Sequence, residues 1–177
     1  MLKGRFNHQL VAANGLIYAV GGEGPLFEHD DIEVRGEVAL SLYEMLRCII
    51  SFQIYDPSSD TWTQSVSLSG FRLGFCAVTS ENEEELFIVG GIDQSNERRR
   101  AESLNLTSME WTRLADLNSN RSSLACARFG DGVLASGGWG YVDNGDNMSP
   151  YVPVRSVEFY EPSSGNVTNL VNKVLHT

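Results

Sequence analysis

The chain has little of what marks membrane or nucleic-acid proteins. In 177 residues no apolar run approaches the roughly 18 residues that a membrane-spanning helix needs. Positive charge is scarce: 13 Lys and Arg face 23 Asp and Glu, a formal net charge of −10. That balance argues against a phosphate backbone or an anionic membrane as partner. The opening MLKGRFNHQL has no long apolar core and no small-residue cleavage site, so it does not read as a secretory signal. Cysteine is limited to Cys48, Cys76 and Cys126. An odd count without metal-type spacing predicts free thiols in a reducing, cytoplasmic setting. Four N-x-S/T sequons, at Asn105, Asn120, Asn147 and Asn166, would matter only in a secreted protein.

Catalytic groups are equally sparse. The histidines are His8, His29 and His176. His29 lies in EHDDIE, which offers cation donors but reads as a solvated acidic loop, and DNGDN at 143–147 lacks the calcium-loop spacing and reads as a turn. GGEG and GGWG have no helix following a strand, so they are not phosphate loops. No Ser-His-Asp or paired-carboxylate arrangement follows from the spacing. The expectation is no enzyme, no metal and no cofactor.

What the sequence has is repetition. An apolar run ends in a Gly pair three times: LIYAVGG (Gly21, Gly22), LFIVGG (Gly90, Gly91) and VLASGG (Gly137, Gly138). Arg5, Arg72 and Arg121 precede these pairs by 16, 18 and 16 residues. The stretch IYDPSSDTW at 54–62 recurs as SLNLTSMEW at 103–111 and FYEPSSGNV at 159–167. Tyr55 therefore aligns with Leu104 and Tyr160, and Trp62 with Trp111 and Val167. Trp62 to Arg72 and Trp111 to Arg121 are both ten residues.

Each unit predicts four short antiparallel strands. In the second they are GFCAVTS, ELFIVGG, AESLNL and WTRLADL. Strands three and four form a hairpin in which Pro57 presets the turn and Asp56, Ser58 and Ser59 supply local hydrogen bonds. Tyr55 and Trp62 are expected to bury near each other, and the Gly pair to sit where no side chain fits.

A repeat of about 49 residues with four strands, a Gly pair and then Tyr-x6-Trp resembles the kelch repeat. The resemblance implies an all-β chain, a partial kelch-type β-propeller of three four-stranded blades. Blade one is expected over 1–69 with an insertion at 23–50, blade two over 70–118 and blade three over 119–177. Kelch propellers resemble six-bladed rings, so the expectation is a fragment, a truncated gene model, or half of something that pairs. The pattern is most similar to kelch-like proteins that join a BTB domain to a propeller. That resemblance implies a protein-interaction module, recognising substrates for a cullin ubiquitin ligase through a domain not present here, or binding actin. Galactose oxidase and sialidase also resemble such propellers, but no Tyr/His/Cys cluster is assignable and SSDTW is only a shortened sialidase box. A secreted kelch protein using the sequons is a further reading.

From the Gly pair to the Tyr position the lengths are 33, 13 and 22 residues. Both long insertions are therefore 2–3 loops, expected on one face together with the 4–1 connections and the blade-start arginines. Residues 38–49 fit a short lid helix or an extended third strand. Residues 23–37 carry six acids against Arg35, and the second loop carries Arg98, Arg99 and Arg100. This basic run would grip an acidic peptide, neutralise the acidic loop, or be merely solvated. Arg72 and Arg121 would contact ligand or hold the blade. The third loop carries Trp139, Tyr141 and Tyr151, as interface anchors or packed onto their own blade.

Overall fold

Turn chemistry sets the hairpins that organise each repeat. In the computed structural model, residues 1–2, 4–24, 51–70, 72–92, 99–141 and 151–170 are described. The Asp56 carboxylate accepts the Ser58 N–H at 2.8 Å and the Ser58 and Ser59 hydroxyls at 2.7 and 3.0 Å. These bonds, led by the Ser58 hydroxyl, hold the Asp56 carboxyl below its ordinary range. Asp60, Met109 and Gly165, at the same place in the three turns, all take a positive φ of 52°, 57° and 67°. A turn ended by one left-handed residue matches the twist of the strands it joins.

The chain divides into two compact units, Met1–Leu73 and Gly74–Thr177. The first holds β1 (Gln9–Ala13), β2 (Leu16–Val20), β3 (Ser51–Asp56) and β4 (Thr61–Ser67), in the sheet order β1-β2-β3-β4. The second holds two such sheets. One contains β5 (Cys76–Thr79), β6 (Glu85–Val89), β7 (Ala101–Asn105) and β8 (Trp111–Arg113), again in chain order. The other contains β9 (Ala125–Phe129), β10 (Gly132–Ser136), β13 (Val157–Glu161) and β14 (Asn166–Asn169). A separate two-stranded ribbon, β11 (Trp139–Tyr141) and β12 (Tyr151–Pro153), interrupts the last sheet. All strand pairings among the described residues are antiparallel, as the four-strand reading expects.

The aligned landmarks meet across their hairpins: Tyr55 faces Trp62, Leu104 faces Trp111 and Tyr160 faces Val167. The eroded positions thus keep their register. Burial differs from expectation. Leu104 and Tyr160 are buried, whereas Tyr55 and Trp62 are half-exposed, their rings 5.1 Å apart. The Tyr55 hydroxyl reaches out to Asp60 at 2.8 Å, which keeps that ring at the surface.

Within the second unit, the two sheets share a core. Cys76, Phe87, Val89 and Ala101 meet Val133 and Tyr160, with Cys126, Leu124 and Val167 against them. Full burial of side chains this size contributes about 1.5–3 kcal/mol each. Here the free-thiol expectation is corrected. Cys76 and Cys126 form a disulfide across 5.8 Å between Cα atoms, joining β5 to β9. Their separation of 50 is one repeat plus one residue, a relation visible only once the sheets are paired.

The Gly pairs are required twice over. All six glycines have positive φ, between 57° and 102°. A Cβ on Gly22, Gly90 or Gly138 would also stand 2.8, 2.6 or 2.6 Å from a carbonyl oxygen, of Phe6, Arg121 or Ser122. The close approach matches expectation, and the left-handed backbone adds a second constraint. Gly138→Ala is therefore expected to destabilise the chain well beyond the ~1–2 kcal/mol of left-handed strain alone. Gly165→Ala, at φ 67° but with nothing within 4 Å, should cost only that strain. Urea denaturation of both variants makes the comparison, and equal losses would refute the clash.

Candidate functional site: an exposed aromatic ribbon on a buried ion pair

The base of the site is a charge sunk into the third sheet. Arg121 and Glu158 are both 0% exposed and pair at 2.7 Å. The guanidinium also donates to the carbonyls of Gly137 and Ser156 at 3.1 Å and to the Ser156 hydroxyl at 2.7 Å. Glu158 in turn accepts the backbone N–H groups of Asn118 and Ser119 at 2.5 and 3.0 Å. One ion pair thus ties the start of the repeat, the Gly pair and the third strand together. Arg5 repeats part of this in the first unit, donating to the Gly21 carbonyl at 2.8 Å.

The chain leaving this tie builds the ribbon. Ser122 and Trp139 exchange backbone hydrogen bonds of 2.8 Å in both directions, and the Val154 N–H donates to the Gly138 carbonyl at 2.8 Å. Phe6 and Glu23 make the same two-way pair in the first unit, both at 2.8 Å. Gly140 sits so close to Asn120 that a Cβ would overlap its carbonyl. The register Trp139–Pro153, Gly140–Val152, Tyr141–Tyr151 puts the two tyrosines, Trp139 and Pro153 on one face. Trp139 stacks on Tyr151 with ring centres 5.6 Å apart, and Tyr141 tilts against Tyr151 at 5.2 Å. The Tyr151 hydroxyl meets the Ser122 hydroxyl at 2.8 Å, fixing the central ring. Trp139, Tyr141 and Tyr151 nevertheless stay 45%, 41% and 43% exposed. The described ends of the insertion therefore form a two-stranded ribbon whose rings pack on each other and still face solvent.

The basic candidates separate. Arg121 spends its charge inside its own blade and presents no surface, and Arg72 is buried at 4% exposure. Arg100, just before β7, pairs with Glu102 of that strand. Arg99 is exposed, and Arg98 lies outside the described residues. The 23–50 insertion from residue 25 onward, with its acidic run, His29, Cys48 and the suggested helix, also lies outside them, as does DNGDN. In the third blade the 2–3 insertion and the 4–1 connection do share one end, as the Ser122–Trp139 pairing requires.

Sequence reasoning missed Glu158, Gly140 and Arg155. A signal existed for two of them. Gln53, Glu102 and Glu158 stand two residues before the Tyr position in each repeat and are all buried. Arg99 and Arg155 each lie three residues before those carboxylates, and both are exposed.

Three four-stranded antiparallel sheets, repeating a blade-start arginine, a left-handed Gly pair and a registered Tyr-x6-Trp hairpin, are kelch-type propeller blades. The chain is similar to Kelch-like protein 28 of Mus musculus, 25% identical over 151 residues, which cover 76% of this chain and 22% of that protein. The chain thus spans about a fifth of that relative's length. No protein-family model matches it. The similarity supports kelch-type repeats.

Breaking the buried pair should be costly. Glu158→Ala is expected to lose about 3–5 kcal/mol by leaving the guanidinium uncompensated. Trp139→Ala should lose only about 1 kcal/mol, the order of one ring-stacking contact. Chemical denaturation measures both, and a Glu158→Ala loss as small as that of Trp139→Ala would contradict the assigned roles.

Proposed function

We propose that this chain is the recognition part of a kelch-like adaptor, and that it binds a partner protein through the ribbon face of its third blade with no chemical step. The observation that carries this reading is the three-ring cluster of Trp139, Tyr141 and Tyr151, its central ring held by the Ser122 hydroxyl and all three rings partly open to solvent. Aromatic anchors on a fixed backbone give large contact area at little entropic cost, and Trp, Tyr and Arg dominate interface energetics. Arg99 and Arg155 supply exposed charge at equivalent positions of blades two and three. Binding by loops built out from a rigid scaffold is the ordinary use of such a frame. The finer role is delivery of that partner to a cullin ubiquitin ligase in the cytoplasm, with cullin contact made by sequence other than these 177 residues.

Proximity labelling or pull-down with the full-length product tests this. A partner recovered by the wild type should lose about 30-fold or more in affinity with Trp139→Ala/Tyr141→Ala, the loss of at least 2 kcal/mol typical of an interface anchor. Arg99→Glu should weaken it less. Co-recovery of a cullin supports the ligase role, and co-sedimentation with actin filaments in its place supports a cytoskeletal one. Undiminished binding by the double aromatic variant would remove the ribbon from the interface.

A further inference from the structure

We propose that Cys76 and Cys126 are a redox modification site, a dithiol that a low-molecular-weight disulfide converts into a covalent tie between the second and third blades. The two residues stand on the first strands of adjacent sheets, 50 residues apart in sequence and 5.8 Å apart between Cα atoms. That span admits the bond without backbone movement. They meet only when the two blades are assembled, so the tie forms in the folded pair and then closes a loop one repeat long.

Register shows that the pair is particular to this junction. The residue facing the position before the Gly pair is Gln9 in blade one, Cys76 in blade two and Ala125 in blade three. The next residue is Leu10, Ala77 and Cys126. Blade one places no cysteine at either position, and blades two and three carry one each, at different positions. The repeat architecture therefore does not need sulfur there, and the junction that has it lies just beyond the ribbon's base. Ser122, four residues before Cys126, holds the Tyr151 hydroxyl, and Ser123 donates to the Gly74 carbonyl at 2.7 Å.

The chemistry balances by thiol–disulfide exchange. Cys126 is partly exposed while Cys76 is buried in the shared core. The Cys126 thiolate attacks one sulfur of the small disulfide, forms a mixed disulfide and releases one small thiol. The Cys76 thiolate then attacks the Cys126 sulfur, closes the protein bond and expels the second thiol. The protein gives up two electrons and two protons, and the small disulfide becomes two thiols. An excess of small thiol runs the sequence backwards, opening the tie. Oxidation thereby stiffens the frame beneath the aromatic face.

The test uses the full chain equilibrated with glutathione disulfide or with dithiothreitol. Maleimide counting should show two fewer reactive thiols after oxidation, and peptide mapping should find Cys76 joined to Cys126. The thermal midpoint of the unit carrying them should rise by about 5–15 °C on oxidation and fall back on reduction. Cys48→Ser should retain that response. Cys126→Ser, at a partly exposed position, should abolish it, and Cys76→Ser serves as the second variant. A map pairing Cys48 with either residue, or equal midpoints in oxidant and reductant, would overturn the proposal.

Discussion

A buried positive charge organises the third blade. Arg121 is fully enclosed, and Glu158, the Gly137 and Ser156 carbonyls and the Ser156 hydroxyl take up the donors of its two terminal nitrogens, while its Nε is buried without a partner. Desolvating two ions is expensive, and their attraction offsets that only where geometry and further hydrogen bonds are good. The tie stabilises less than it selects. It fixes where the chain enters the sheet, how the Gly pair turns out of β10, and which residue of the third strand faces inward. The Ser122–Trp139 pairing follows from that placement, and the ribbon follows from the pairing.

Much of the fold was legible in the sequence because a repeat multiplies its own signal. The hairpin residues keep register even where the aromatic is lost: Leu104 and Val167 sit where Tyr and Trp stand in the first blade. What spacing does not encode is burial. Tyr55 and Trp62 read as core from their size, yet the Asp60 hydrogen bond holds Tyr55 outward. Nor does it encode contact between repeats. Cys76 and Cys126 read as free thiols because pairing across one repeat plus one residue has meaning only after two sheets meet face to face.

The candidate site was legible only by residue type. Trp139, Tyr141 and Tyr151 were singled out by type, but their common face depends on a register that no linear spacing reveals, since Tyr141 and Tyr151 lie ten residues apart and opposite each other. The blade-start arginines show the converse. Arg121 has the residue type of an interface anchor and the environment of a structural pin, and environment decides. A frame built this way separates two tasks. Buried polar ties and left-handed glycines hold the backbone, which frees the insertion to present aromatic surface. The same blade design therefore tolerates change in the ribbon without loss of the sheet.

Amide hydrogen exchange tests the central claim most directly. The N–H groups of Gly91, Ser122, Ser123 and Trp139 all donate at the ends of blades two and three rather than within their ladders. If the Arg121–Glu158 tie governs that region, Ser122 and Trp139 should be protected as strongly as amides in mid-β10, and Glu158→Gln should release them together. Exchange at open-loop rates in the wild type, or protection unchanged by that substitution, would contradict the account.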